Sequence, residues 1–441
     1  MEGTTVGIEP VRQSERRLGF WSYAVLWGDL GVGLLVLLAG SLLVPALGLP
    51  HALGAIVLGS LIGVALLALA GVPSSTTGVP TMVVLRRVLG LHGSYAPTAI
   101  NVVQLLGWTI FELVIMGYAA NAASKQLLGW DAYWFWLSVF TAIVVGLGVW
   151  GPLAVVRRFL GRFAVWIMLA TTIYITGILF LRHDVAAIWQ RPGQGGMGFW
   201  TAVDIVIAMP ISWMPLVGDY SRFARRVAPA AWGTALGYLV SNVWFYGLGA
   251  LILLAANVTQ EPKGFVEAIM LLAGPMALLI LLVDEADEAW ADLYSCAVSI
   301  QNIRPAADQR LLIVGLGALA FIVALVIDIT RYEHFLLLIG SVFVPLFGVL
   351  ASDFFVVRSR YDAREIVQLD ITRERVLAVS WAALGAWIIG VLSYHWIAGS
   401  LARFGLPAPP AIGASIPSFL VAVVVYAALA RATRRQLAYG E

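Results

Sequence analysis

Apolar residues in this chain gather into long runs separated by short polar stretches, and the length of the runs decides what they predict. A hydrocarbon core about 30 Å thick is crossed by roughly 20 helical residues rising about 1.5 Å each. Runs near that length occupy 22–47, 51–72, 95–122, 132–152, 162–182, 201–221, 231–256, 270–300, 311–328, 334–356, 376–398 and 411–431. They predict an all-α polytopic membrane protein of about 12 transmembrane helices, here segments one to twelve. Residues 1–21 form a cytoplasmic N-terminal segment in this reading, 376–431 carry segments eleven and twelve, and 432–441 are a cytoplasmic tail. The stretch Met1–Arg17 is polar and too long before the first apolar run to resemble a cleaved signal peptide, so segment one is expected to be retained.

The basic residues test this segmentation independently, because cytoplasmic loops are enriched in Lys and Arg. Alternating the loops from a cytoplasmic N-terminus places Arg12, Arg16, Arg17, Arg86, Arg87, Arg157, Arg158, Arg162, Arg222, Arg225, Arg226, Arg304 and Arg310 on one side. Arg358, Arg360, Arg364, Arg373, Arg375, Arg431, Arg434 and Arg435 join them, while Lys125, Arg182, Arg191, Lys263, Arg331 and Arg403 fall on the other. The division is 21 against 6, which an extra or missing helix would scramble, so both termini are expected in the cytoplasm of a multi-pass protein of the cell membrane.

Composition adds that 61% of residues are hydrophobic and 12% charged, too apolar for a water-soluble fold to hide. Seventeen Trp and 44 Gly suit interfacial anchoring and close helix packing in lipid. The basic residues are accounted for by topology and leave no nucleic-acid-binding patch. The single cysteine, Cys296, excludes an intramolecular disulfide framework and sits in an apolar run that suits inert packing.

Two segments carry helix breakers where a transporter would place a discontinuous helix. Segment one contains Trp27-Gly28-Asp29-Leu30-Gly31-Val32-Gly33, and segment six contains Met209-Pro210-Ile211-Ser212-Trp213-Met214-Pro215. Each proline removes a backbone donor from the helix ladder. The two segments are five apart, as two five-helix repeats require, at 22–182 and 201–356.

Acids inside membrane helices are costly and mark a cavity, an ion path or a proton relay. Segment eight has five, Asp284, Glu285, Asp287, Glu288 and Asp292. At about 100° per residue, four of them fall within an arc of about 100° and Asp287 lies about 60° beyond, so that half of the helix cannot face lipid. They cannot all be ionised without counter-charge, so some are protonated or coordinate a cation. Asp284 and Glu285 are expected to be merely solvated in an outward vestibule. Segment three adds Asn101, with Gln104, Trp108 and Glu112 on one stripe. An aromatic plane beside a carboxylate suits a flat heterocycle with N–H donors.

The stretch Gly218-Asp219-Tyr220-Ser221-Arg222-Phe223 resembles the signature of the nucleobase:cation symporter-1 family. So do Gly107-Trp108, Asp292-Leu293-Tyr294-Ser295, and Leu338 to Leu346 leading to Ser352-Asp353-Phe354. The resemblance runs from about Gly19 to Arg435. It implies inverted five-helix repeats (5+5) with broken helices one and six, two extra C-terminal helices, alternating access, and cation-coupled uptake of nucleobases or related heterocycles. Met209 to Trp213 and Ala291 to Ser299 are most similar to the cytosine/purine and hydroxymethylpyrimidine branch. The resemblance makes Trp108 the stacking Trp, puts Glu112 where a substrate-binding amide can occur, lines the break in segment six with Met209, Pro210 and Trp213, and puts Asp292 at the substrate-binding Asn or Asp. Gln104 joins this substrate set.

The family's sodium site joins segment one near Asp29 and Val32 to segment eight near Val283, Ala286 and Asp287. Hydroxyl residues are expected at the last two positions, so this chain departs there. Asp29 and Asp287 make a two-acid site that could bind Na⁺ or carry a proton, with Glu288 beside it. No resident cofactor is implied beyond Na⁺ or H⁺ as coupling ion. Partners are a small heterocycle and the lipid bilayer. In the working mechanism a ring stacks between Trp108 and Trp213 while Asp292 and Glu112 accept from its N–H groups. The alternatives are an amino-acid or amine symporter on the same fold and a cation or proton channel. A membrane metalloenzyme is disfavoured, because His92, His334 and His395 lack metal-ligand spacing with another His.

Overall fold

A computed structural model describes residues 8–150, 165–256, 258, 260–327, 332–357, 361, 363–367, 378–409 and 412–438. Arg157, Arg158, Arg162, Arg331, Arg358, Arg360, Arg373 and Arg375 lie outside these residues, as do the first seven residues and the last three. Among the described residues, seven helices are long and apolar enough to cross a membrane, and segment one, whose halves meet at 63°, makes an eighth. Four shorter apolar helices, Leu169–Arg182, Phe199–Ser212, Gln309–Ala324 and Trp381–Ile397, occupy segments five, six, nine and eleven. Each of the twelve predicted segments therefore contains an apolar helix among its described residues, as expected of a multi-pass membrane protein.

Segment one runs Phe20–Asp29, loses its helix over 30–33 and resumes at Leu34–Ser41. The gap coincides with Gly31 and Gly33, and a methyl on Gly33 would come within 2.6 Å of Glu288 Oε2 and 3.1 Å of Glu285 Oε2. Glycine is thus needed there for close approach to segment eight. Segment six runs Phe199–Ser212, passes through a turn at 213–216 and closes with Val217–Ser221. Pro210 lies within its first helix and Pro215 in the turn. The interruption therefore falls about a turn later than Met209 and Pro210.

Segment eight needs a correction. Its helix Pro262–Ile303 is bent at Gly274, whose backbone is non-helical (φ 83°, ψ 171°) and is followed by Pro275. Positive φ favours Gly, and a proline disfavours helical backbone in the residue before it. The membrane helix starts at 275 rather than 270, and 262–273 form a separate helix that the continuous apolar composition concealed.

The packing shows the repeat. Segment two lies against six, and segment seven lies against the first half of one, which is the same pairing with the halves of the chain exchanged. Segments three and eight, equivalent under that exchange, form the most extensive helix pair. Glycines make the approach between one and seven possible: a side chain on Gly237 would meet the Ala24 carbonyl, and one on Gly249 the Leu37 carbonyl. Segments eleven and twelve pack on each other and on ten, at the periphery. Segment four is peripheral too, with only 17% of its apolar window buried against 67% for segment three. Trp134, Trp150, Leu181 and Trp381 are exposed, as side chains facing lipid would be.

Candidate functional site

The interrupted helices and the segment three and eight pair converge on a narrow pocket of about 10 Å³, room for little more than one water. It is lined by Leu35 and Val36 from segment one, Trp108 and Glu112 from three, Met209, Ser212 and Trp213 from six, and Glu288 and Asp292 from eight. Each residue is there for a local reason. Trp108 and Glu112, four apart, share a helix face, as do Glu288 and Asp292. Trp213 stands at the first residue of the turn in segment six, where leaving the helix turns its ring inward. The free space is divided between side chains, so a bound ring requires the walls to part.

Trp108 is held edge-on by Tyr332 and Phe335, with ring centroids 5.8 and 5.1 Å away. Trp213 meets Trp27 edge-on at 5.9 Å. Glu112 is 2% exposed and Trp108 5%, and neither Glu112 Oε2 nor Trp108 Nε1 has a hydrogen-bond partner. Such atoms are costly to bury unless something satisfies them. Ser212 Oγ donates to the Met209 carbonyl at 2.6 Å and is already engaged.

Two predicted substrate residues do not line this cavity. Gln104 donates from Nε2 to the Ser212 carbonyl at 2.9 Å, satisfying the end of the first helix of segment six. Pro210 turns its ring toward Gly63 in segment two, where a methyl could not fit. Asn101, a turn before Gln104, donates to Ser299 Oγ at 2.9 Å.

At the break in segment one, the carboxyls of Asp29 and Asp287 are in hydrogen-bonding contact. Trp290 Nε1 donates to Asp287 Oδ1, and Asp29 Oδ2 is buried without a partner. Ala286 is buried beside them, while the Val283 side chain is 43% exposed, so only its backbone could face the break. Val32 N donates to the Asp29 carbonyl at 2.9 Å.

Glu285 corrects the sequence reading. It is fully buried rather than solvated, and its Oε2 accepts from Leu34 N at 2.5 Å. It thereby caps the second half of segment one across the interface, placing a negative group at a helix N-terminus. The side chain of Asp284 lies outside the described part of the structure. Asp204 was not singled out by the sequence reading and plays a similar part: it accepts from Ala414 N at 2.6 Å and Ser415 N at 3.1 Å at the start of segment twelve. Its position as an acid within an apolar run was the available signal.

The signature stretch closing segment six is a buried clamp away from the cavity. Arg222 is 0% exposed and donates to the Asp219 carbonyl and to Tyr294 Oη, both at 3.1 Å. Asp219 Oδ1 accepts from Thr81 N at 3.3 Å, and Gly218 N donates to Thr81 Oγ1 at 2.7 Å. Cys296 is buried in the same helix as Tyr294, its Sγ 3.7 Å from the Val102 carbonyl.

Two interrupted helices around a small polar cavity at the centre of paired repeats define a membrane transporter, not an enzyme. The family described as permeases for cytosine/purines, uracil, thiamine and allantoin matches residues 10–416. The chain belongs to this family, the nucleobase:cation symporter-1 family of cation-coupled symporters. It is 25% identical over 411 residues to the hydantoin permease of Microbacterium maritypicum, covering 87% of this chain and 82% of that protein. It is 22% identical over 335 residues to the cytosine permease of Escherichia coli K12, covering 75% and 74%. The fold matches that of the nucleobase-cation-symport-1 transporter Mhp1, solved closed with bromovinylhydantoin bound. The TM-score is 0.82 at 21% identity, over 98% of this chain and 96% of that one.

Proposed function

We propose that this protein imports a flat nucleobase-like heterocycle, of the cytosine, purine or hydroxymethylpyrimidine kind, by cation-coupled alternating access. One observation carries the reading: the cavity combines Trp108 and Trp213 with Glu112 and Asp292. A ring stacks between the two indoles, and the carboxylates accept from its N–H groups. The names of the hydantoin and cytosine permeases support the substrate class.

The coupling cation binds at Asp29 and Asp287, where segment one meets segment eight. A proton suits this pair, because two carboxyls in hydrogen-bonding contact share one proton, whereas Na⁺ would part them to reach both as ligands. Occupying the pair ties the break in segment one to the helix carrying Glu288 and Asp292, so cation and substrate each raise the other's affinity. The basic residues support an orientation with both termini in the cytoplasm.

Uptake into proteoliposomes, with the proton and sodium gradients imposed separately, tests both parts. Cytosine or hydroxymethylpyrimidine should accumulate under an inward proton gradient in sodium-free buffer, and accumulation that requires sodium would reassign the ion. Replacing Asp292 by Asn should lower uptake of an amino-bearing ring more than about tenfold, the scale of a hydrogen bond to a charged group. Unchanged uptake would remove Asp292 from the site.

A further inference from the structure

The cavity is strongly one-sided in its hydrogen-bonding chemistry. Its polar side chains are three carboxyls, Glu112, Glu288 and Asp292, the engaged Ser212 hydroxyl, and the indole N–H groups of Trp108 and Trp213. Among the described residues, no Lys, Arg, His, Asn or Gln lines it. Uracil and hydantoin present two carbonyl oxygens each, which need donors from the protein. Ionised carboxylates only accept, which leaves the indoles and any protonated carboxyl to meet those oxygens.

Charge points the same way. Glu112 and Asp292 are both buried in the wall of this narrow pocket, and two neighbouring buried carboxyls cannot both stay ionised without a positive charge nearby. The unsatisfied Glu112 Oε2 is buried in this wall and is independent of the coupling pair at Asp29 and Asp287. Two indoles also line the pocket beside the carboxyls, and an indole attracts a cation that comes over its ring.

We infer that the substrate enters as a cation: a flat, N–H-rich ring of the amidinium type, such as an amino-imidazolium or aminopyridinium, stacked on Trp108 and Trp213 with its N–H edge on Glu112 and Asp292. The inference rests on the heterocycle-transport reading above and narrows it. The ring's charge neutralises part of the carboxyl set, and its donors meet acceptors that a neutral dicarbonyl ring would leave unpaired.

The test is binding to the purified full-length protein at a fixed pH of about 7, chosen so that 2-aminoimidazole and 4-aminopyridine carry a proton and carboxylates are ionised in water. The probes are 2-aminoimidazole, 4-aminopyridine and 4-amino-1-methylpyridinium, which are cationic, against uracil and hydantoin, which are neutral. The expected result is that the best cation binds at least about tenfold tighter than either neutral ring, the scale of one charge-assisted bond. The preference should shrink in both Glu112→Gln and Asp292→Asn. Either variant serves if the other does not fold, and the preference of the wild-type protein stands without them. Uracil or hydantoin binding as tightly as the cations would overturn the inference and leave heterocycle transport standing. Absence of binding by all of these probes and by cytosine and hydroxymethylpyrimidine as well would overturn that reading and the inference with it.

Discussion

The breaks in segments one and six differ in which side chains meet the freed backbone. Each break exposes both a helix C-terminus and a new N-terminus. At segment one Glu285 accepts from Leu34 N at the start of the second half. At segment six Gln104 donates to the Ser212 carbonyl that ends the first helix, and Thr81 Oγ1 accepts from Gly218 N in the second. Lipid supplies neither kind of partner, so an interruption in a membrane helix needs a side chain of opposite polarity from a neighbour. The first break is flanked by acids and glycine because a helix N-terminus favours negative charge. The second is flanked by an amide and aromatic rings. One break is thereby suited to a cation and the other to stacking.

This contrast can be broken from either side. The largest effect is expected from Gly249→Leu, whose side chain would run into the Leu37 carbonyl in the second half of segment one. Backbone cannot step aside as a side chain can, so about 3 kcal/mol or more of stability should be lost. Poor recovery of monodisperse protein would show it, whereas normal recovery would mean that segment one is not clamped against seven. Next comes Glu285→Ala, which strands the Leu34 amide and should cost about 2–3 kcal/mol. Thermal denaturation should register the loss, with Glu285→Gln recovering part of it because an amide oxygen still accepts. Equal losses in the two variants would argue against a capping role. A smaller effect, about 1 kcal/mol, is expected of Gln104→Leu, which removes a neutral hydrogen bond at the second break. Substrate binding should weaken less than about tenfold, whereas complete loss would make Gln104 a direct substrate ligand. Smallest of all is Lys125→Ala at the exposed Lys125–Asp131 pair, 3.0 Å apart, where thermal denaturation should show no measurable change because water screens the pair.

Much of the fold was legible because bilayer thickness imposes a length on every apolar run. The break in segment one could be read from Gly28, Gly31 and Gly33, and the shared half of segment eight from a step of about 100° per residue. The bend at Gly274 had a local signal in Gly274-Pro275, yet the apolar run continues through it and hydropathy does not respond to backbone torsion. Candidate site residues were harder to sort. Gln104, Trp108 and Glu112 share one stripe, but only Trp108 and Glu112 line the cavity, since Gln104 faces the end of the helix in segment six. Glu285 and Glu288 lie on one arc, yet one caps a helix and the other lines the cavity.

By itself the sequence determined where the apolar segments run, where two of them fail, and which helix faces cannot meet lipid, because these follow from chain-local length, charge and periodicity. Only the tertiary structure decided which acid meets which partner. Glu285 reaches Leu34 across 251 residues, and Asp204 reaches Ala414 across 210. Whether a buried carboxyl is a cap, a ligand or half of a pair depends on the group packed against it, and no local pattern encodes that neighbour.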